Sequence, residues 1–254
     1  MPFTFSHPAI VLPLAKINSA YISVSALVMG SMAPDFEYFL HMRLKQIHGH
    51  TLDGAFYFDL PVTLCALILF HSLVRDTLID HLPEFLRKKY QRFYQLDWIA
   101  YARKRWYVIL YSALIGIFSH LFWDAFTHAP GYFVKFIPFL QQELLIFNVS
   151  IPSYDFMQLL STAFGGLIIV LVVLWPEKSP EARKSNRKAL TYLITVFTIS
   201  LVVMVFRGIS NQSEFIATAI SGMLIGMIVA PLFLKRKQMV LSAKNKINTR
   251  QKIS

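Results

Sequence analysis

Two histidines and an aspartate lie four residues apart in the run SHLFWDAFTH, namely His120, Asp124 and His128. On an α-helix, residues at this spacing stack along one face, so the pattern predicts that the three side chains share one stripe. Imidazole and carboxylate groups together can bind one transition-metal ion. Ionisable side chains at the edge of an apolar segment are costly, and by default they indicate a function. The spacing therefore predicts a metal site on this segment.

The first half of the chain carries further side chains of the same chemistry. His7 lies in FSHPA, Asp35 and Glu37 lie in GSMAPDFEYF, and His48 and His50 lie in HGHT. Ordinary structural roles are also open to them: a helix cap for Asp35, an exposed first-turn position for Glu37, and a solvent-facing position for one of the HGHT histidines. We expect the residues that carry chemistry to gather with the helical trio at one face of a membrane.

The composition indicates a membrane protein. Of the 254 residues, 55% are hydrophobic and 15% are charged, whereas a soluble domain carries about 25% charged residues. The net charge of +11 comes mainly from three basic stretches, which lie between or after apolar runs. This is the distribution that the positive-inside rule describes. It indicates that the basic stretches orient the spans in the membrane, and it argues against a nucleic-acid partner. The basic stretches are Arg75–Arg105, Pro176–Lys188 and Lys235–Ser254.

Five apolar runs predict transmembrane helices, because each approaches the roughly 20 residues that cross the hydrocarbon core. They are about Tyr57–Val74, Trp106–Phe126, Asp155–Trp175, Ala189–Arg207 and Glu214–Leu234. The charge pattern then predicts a cytoplasmic C-terminus, with the N-terminus and Thr127–Tyr154 outside. Asp59 lies within the first run, where it either caps the span or hydrogen-bonds a ligand histidine.

The N-terminal run Pro8–Met32 has two interpretations. It is apolar, but Pro13, Lys16 and Asn18 interrupt it. It is either a sixth span or a re-entrant helical hairpin that turns at about Lys16–Asn18, which is tolerated where protein or water satisfies the backbone. We favour the hairpin, because it returns the chain to the side of the membrane on which it started.

Four segments resemble a family of bacterial integral membrane proteins of unknown function: SHPA, GSMAPDFEYF, HT followed by DLP, and SHLFWDAFTH. That family is similar to the membrane-bound metal-dependent hydrolases, which share an early histidine, a G-x-x-x-PD segment and an H-x-x-x-D element. The H-x-x-x-D element is also remotely similar to zinc-dependent phospholipase C, which cleaves phosphodiesters. The resemblance covers about residues 1–130. It implies these metal ligands: His7, Asp35, His50, His120, Asp124 and His128.

The sequence thus predicts an all-α multi-pass protein of the plasma membrane that hydrolyses a lipid-like or phosphoester substrate at the outer membrane face. The expected cofactor is a divalent transition metal, zinc first and manganese or iron as alternatives, and Glu37 is the expected general base. Two other classes stay open: a membrane scaffold with a structural metal, and an ion or proton transporter. We expect residues 1–130 to form the metal-site half, residues 131–234 an external loop with three spans, and residues 235–254 a basic cytoplasmic tail.

Overall fold

Long apolar helices dominate the computed structural model, which describes residues 4–176, 185, 188–209 and 211–251. Within these residues, five helical segments are long and apolar enough to cross a membrane. They confirm the five predicted spans, so the chain is an all-α multi-pass membrane protein. The segments are Ala55–His81, Trp98–Phe136, Ser153–Leu174, Ala189–Arg207 and Glu214–Leu234.

Among the described residues, short helices and one β-hairpin precede the first span and connect the first three spans. In chain order the helices are α1 (Pro8–Val11), α2 (Val24–Gly30), α3 (Phe36–His41), α4 (Ala55–His81), α5 (Glu84–Tyr90), α6 (Trp98–Thr127), α7 (Tyr132–Phe136), α8 (Pro138–Gln141), α9 (Ser153–Leu174), α10 (Ala189–Arg207) and α11 (Gln212–Gln251). The strands β1 (Glu143–Ile146) and β2 (Val149–Pro152) pair antiparallel. Their connection, Phe147 and Asn148, has positive φ angles of 50° and 65°, as a two-residue hairpin turn requires.

The N-terminal run is a helical hairpin, as we favoured, and the sixth-span interpretation is wrong. Helix α1 has 4 residues and α2 has 7, whereas a span needs roughly 20. A 3₁₀ turn, Leu12–Lys16, extends α1, and beyond it Ile22 and Leu27 pack against Val11. Pro13 lacks an amide hydrogen, and the Asn18 side chain accepts a hydrogen bond from the backbone of Ala20 at 2.8 Å. Both features favour a turn over a continuous helix.

Helix α2 packs closely against α6, because glycines lie at the contact. A Cβ at Gly30 would overlap the carbonyl oxygen of Ala113, and a Cβ at Gly116 would overlap that of Leu27. Small residues let the backbones of membrane helices approach in this way. The contact places the end of α2 beside the half of α6 that carries the predicted ligands.

The described residues divide into two compact units. The first comprises Met1–His41, Lys45–Leu67 and Asp97–Trp175. The second comprises Met42–Leu44, Ile68–Leu96 and Pro176–Ser254. In the second unit α10 packs against α11, around a core that includes Tyr192, Val196 and Ala230.

Helix α9 belongs to the first unit, with the N-terminal segment and α6. At Gly165, a Cβ would lie 2.8 Å from the backbone oxygen of Ser6. The Ser6 hydroxyl donates to the carbonyl of Thr162 at 3.0 Å. These contacts hold the start of the chain against a span that begins more than 140 residues later. The unit that contains the predicted ligands therefore includes a membrane-spanning helix from outside residues 1–130.

Candidate metal centre

Four short pieces of the first unit bring five of the six predicted ligands together. His7 follows a 3₁₀ turn, Thr4–Ser6, and Asp35 ends another, Ala33–Asp35. His50 lies in the loop before α4, and His120 and Asp124 lie on α6. His7, Asp35, His120 and Asp124 are buried, and the His50 side chain is 18% exposed. The side chains that meet are His7, Asp35, His50, His120 and Asp124.

Asp124 lies at the centre of this cluster. Its Oδ1 is 3.2 Å from the Nε2 of His7. Its Oδ2 is 3.1 Å from the Nε2 of His50 and 3.2 Å from the Nε2 of His120. One carboxylate therefore contacts three imidazoles from three separate parts of the chain.

Asp35 supplies the second carboxylate. Its Oδ1 is 3.5 Å from the Nε2 of His50 and 3.7 Å from the Nε2 of His120. Its Oδ2 accepts a hydrogen bond from the Thr4 hydroxyl at 2.6 Å, which orients the carboxylate towards the imidazoles. Thr4 is 2% exposed, and no sequence motif marks it as part of the site.

Two overlapping triads of donor atoms have the spacing of metal ligands. They are His7, Asp35 and His120, and His50, His120 and Asp124, each with its donor atoms within 4.8 Å of one another. The Nε2 atoms of His50 and His120 are 3.2 Å apart. Two donors that each lie about 2.1 Å from one ion, at tetrahedral or octahedral angles, are about 3.0–3.4 Å apart. The shorter separations in the cluster match this value.

Backbone carbonyls orient two of the histidines. The Nδ1 of His120 donates to the carbonyl of Ser31 at 2.8 Å, and the Nδ1 of His7 donates to that of Thr4 at 3.3 Å. A neutral imidazole whose Nδ1 carries the proton presents a lone pair at Nε2. Both Nε2 atoms point at the Asp124 carboxylate, which also presents lone pairs. A cation between them would turn this repulsion into coordination, and such carbonyl contacts are what ligating histidines commonly make.

The charges of the cluster act strongly on one another. Burial acts to raise the pKa of Asp35, but the imidazoles of His120, His50 and His7 outweigh it and hold that pKa below its usual range. Burial acts to lower the pKa of His50, but its hydrogen bonds to Asp124 and Asp35 outweigh it and raise the pKa to about 9. The two carboxylates therefore create a site that attracts positive charge.

His128 lies at the edge of the cluster and outside both triads, one residue beyond the helix that carries His120 and Asp124. Helix α6 ends at Thr127, and His128 has extended backbone angles (φ −130°, ψ 142°). Its Nδ1 is 3.5 Å from the Oδ1 of Asp124, but it also lies 3.3 Å from the Asp124 carbonyl oxygen. The signal that indicates this helix end is Pro130, because the residue directly before a proline, here Ala129, disfavours the helical conformation and helices usually end at or before it.

Glu37 holds the loop that carries His50, and its carboxylate is 1% exposed. Its Oε1 accepts a hydrogen bond from the backbone amide of Ile47, and its Oε2 accepts from those of His48 and Gly49, all at 2.8 Å. Burial acts to raise the pKa of Glu37, but these three amides outweigh it and lower the pKa. The expected general base is thus engaged with the backbone, which makes Glu37 a positioning residue. Glu37 does lie in the first turn of α3, but its side chain is buried and not exposed to solvent.

Asp59 is a buried carboxylate without a hydrogen-bond partner among the described residues, at either oxygen. It is 0% exposed and lies in a π-helical turn, Ala55–Asp59, at the start of α4. The helix begins before it, so the capping interpretation is wrong. A Cβ at Gly49 would lie 3.3 Å from its Oδ1, and the Nδ1 of the adjacent His50 also lacks a partner in the described structure. π-Helical turns are frequent at functional sites.

A family model covers nearly the whole chain. The model described as "Domain of unknown function (DUF4184)" matches residues 1–232. No curated protein and no solved structure matches the chain. The similarity to metal-dependent hydrolases and to phospholipase C therefore stays a prediction, and the match to a family of unknown function includes every residue of the cluster. The chain belongs to the DUF4184 family.

Proposed function

We propose that the protein is a membrane-embedded, metal-dependent hydrolase that acts at the outer membrane face on a lipid-like or phosphoester substrate. The observation that carries the proposal is the cluster itself. Three imidazole Nε2 atoms and two carboxylates converge in the interior of a membrane protein, with separations of 3.1–3.7 Å between the contacting atoms. Ionisable groups inside a membrane segment are retained where they serve a function.

The donor set fits a divalent transition metal. Neutral imidazole and carboxylate ligands suit Zn²⁺, with Mn²⁺ and Fe²⁺ as alternatives. Ca²⁺ and Mg²⁺ prefer oxygen ligands, so three imidazoles argue against them. His7, Asp35, His50, His120 and Asp124 would hold the ion or ions, and the two overlapping triads leave both one and two ions open.

When bound, a divalent ion polarises a phosphoryl or carbonyl oxygen and makes water nucleophilic near neutral pH. The protein's own residues prepare the place where this happens. The Ser31 and Thr4 carbonyls set the tautomers of His120 and His7, and Glu37 holds the loop of His50. The buried ligands exclude bulk water, which strengthens electrostatic interactions in the site. The partly exposed His50 side chain marks the side from which a substrate can approach.

The location of the site supports an amphipathic substrate. His120 and Asp124 lie near the C-terminal end of α6, within a segment apolar enough to span a membrane. The distribution of the basic stretches predicts that the segment that follows, Thr127–Tyr154, is outside. The site would therefore open at the outer headgroup region, in the plasma membrane, where lipid esters and phosphoesters are the most abundant reactants.

The scaffold alternative differs in one measurable property. A structural metal has a closed shell of four protein ligands, whereas a catalytic metal keeps an open position. The transporter alternative requires titratable residues at mid-depth on several spans. The central parts of the last three spans contain none in the sequence, since Asp155, Arg207 and Glu214 lie near span ends. This observation favours the hydrolase and the scaffold over the transporter.

Metal analysis of the purified full-length chain is the first test. We expect about one or two transition-metal ions per chain, and a loss of metal in His120→Ala and Asp124→Ala. His48→Ala is the matched control, because this histidine belongs to the same HGHT motif but bonds the Tyr57 hydroxyl, at 2.8 Å, outside the cluster. Equal metal content in wild type and in both cluster variants would refute the metal centre.

Activity is the second test. Metal-loaded protein is assayed against panels of phospholipids, lipid esters and soluble phosphoesters, with Asp124→Ala as the inactive reference. Turnover by the wild type alone supports the hydrolase. The opposite outcome has two parts: X-ray absorption shows bound metal with a closed shell of four protein ligands, and turnover does not exceed that of the reference. This outcome would refute the hydrolase and support the scaffold.

A further inference from the structure

A groove of about 400 Å³ runs along the first unit, beside the metal centre. Its volume lies within the roughly 300–1,000 Å³ of small-molecule sites. Three elements form it: the N-terminal segment, α6 and α9. The lining residues used below are Ser6, His7, Trp123, Leu160, Phe164 and Ile168.

The wall on α9 is one continuous face of that helix. Its lining residues run from Met157 to Ile168 at helical spacing, so the face is about 16 Å long at 1.5 Å per residue. The hydrocarbon core of a bilayer is roughly 30 Å thick. The groove therefore extends over about the depth of a single leaflet, and it starts near the N-terminal end of α9, the end that the charge pattern places outside.

The lining presents almost only carbon. The Ser6 hydroxyl is engaged by the carbonyl of Thr162, and the Ser161 hydroxyl donates to that of Gln158 at 2.9 Å. No carboxylate or amine contributes to the lining. At the rim, Leu160 is 39% and Phe164 63% exposed, on the faces of a membrane-spanning helix. A hydrocarbon chain can enter this groove sideways from the bilayer without a polar penalty.

His7 connects the groove with the metal centre. His7 is one of the residues that line the groove, and its side chain, which is 1% exposed, places Nε2 3.2 Å from the Oδ1 of Asp124. An apolar chain in the groove would therefore be separated from the cluster by this one residue, and the polar end of the same molecule would lie near the proposed reaction site.

We propose that this groove binds one acyl chain of a glycerophospholipid of the outer leaflet. This proposal rests on the proposed function in one respect: if the protein is a hydrolase, the lipid bound in the groove, or a molecule of its class, is the substrate. Its grounds are the membrane-spanning walls, the uncharged lining, the length of one leaflet and the continuity with His7. A second copy of this chain and an apolar segment of another protein are the competing occupants.

The test uses the full-length protein in lipid nanodiscs that contain phosphatidylglycerol with a diazirine in the middle of one acyl chain. After irradiation, the labelled residues are mapped by mass spectrometry. We expect labelling of Trp123, Phe164 and Ile168 to exceed that of the outward residues of α9, such as Leu159 and Val170. Leu159 and Val170 are 62% and 51% exposed, and both contact ordinary bulk lipid in a bilayer.

A matched pair of variants distinguishes a bound chain from bulk lipid. Leu160→Trp fills the groove, and we expect a several-fold loss of labelling at Trp123 and Ile168. Leu159→Trp makes the same change at the same depth on the opposite face, and it should leave that labelling unchanged. Thermal unfolding, measured on the same samples, shows whether each variant remains folded. If Leu160→Trp fails to fold, Ile168→Trp replaces it further along the groove, with the same expected loss of labelling at Trp123.

Equal labelling of both faces of α9, in proportion to exposure, would overturn the proposal. Cross-links from the groove to a second polypeptide in place of lipid would overturn it in favour of a protein occupant. The two proposals fail separately. A metal-free, inactive protein whose groove is labelled refutes the hydrolase alone, whereas an active protein with an unlabelled groove refutes the acyl-chain site alone.

Discussion

Replacement of Glu37 by glutamine separates a positioning role from a proton-transfer role. In the structure the carboxylate accepts three backbone N–H bonds, each 2.8 Å long, from the loop that carries His50. Glutamine has a single acceptor oxygen, and its NH₂ group must face at least one of these donors. The variant therefore loses at least one bond and converts the remaining ones from charged to neutral.

The magnitude follows from the type of bond. A hydrogen bond to a charged group contributes about 1.5–3 kcal/mol and a neutral one about 0.5–1.5 kcal/mol. One lost bond and two weakened ones remove about 2–4 kcal/mol from the ordering of the loop, allowing for non-additivity. Loss of a partner that orients a ligand histidine typically lowers metal affinity by about 10–100-fold. We therefore expect Glu37→Gln to lower the Zn²⁺ affinity by about 10–100-fold.

Two measurements on detergent-purified full-length protein test this expectation. Competition with a chromogenic chelator gives the Zn²⁺ affinity, and hydrogen exchange reports the protection of the loop amides. Glu143→Gln is the control. Glu143 lies in β1, away from the cluster, and its carboxylate accepts a hydrogen bond from the Ser150 hydroxyl at 2.7 Å. Unchanged affinity and unchanged protection in Glu37→Gln, together with lost turnover, would refute the positioning role and restore the sequence-based prediction of a general base.

Three further predictions follow from the geometry. His50→Ala should lose metal whereas His128→Ala should retain most of it, because His128 lies outside both triads; elemental analysis decides this, and equal losses would contradict the ligand assignment. Gly116→Val should reduce the stability of the detergent-solubilised protein by about 1–3 kcal/mol through overpacking against α2, whereas Gly166→Ala, whose Cβ would lie 3.6 Å from its nearest neighbour, should not; thermal unfolding checks both. Reporter fusions should place the N-terminus and residues near 140 outside and the C-terminus inside, and a cytoplasmic N-terminus would contradict the hairpin topology.

The sequence by itself determined the features that depend on neighbouring residues. Five apolar runs predicted five spans, because the length of a run and its lack of charge decide whether it can cross hydrocarbon. His120 and Asp124 were recognisable as a pair, because four residues on a helix bring two side chains to one face. Their contact of 3.2 Å confirms that local geometry.

Only the tertiary structure decided which distant residues meet. His7 and Asp124 are 117 positions apart, and His50 and His120 are 70 apart, so no local period relates them. The role of Glu37 was equally hidden, because a carboxylate in a first helical turn looks the same whether it faces water or holds a loop. The groove wall on α9 lies beyond residue 130, outside the segment that carries the motifs. Packing between elements sets all of these contacts, and packing depends on shapes that become defined only when the helices come together.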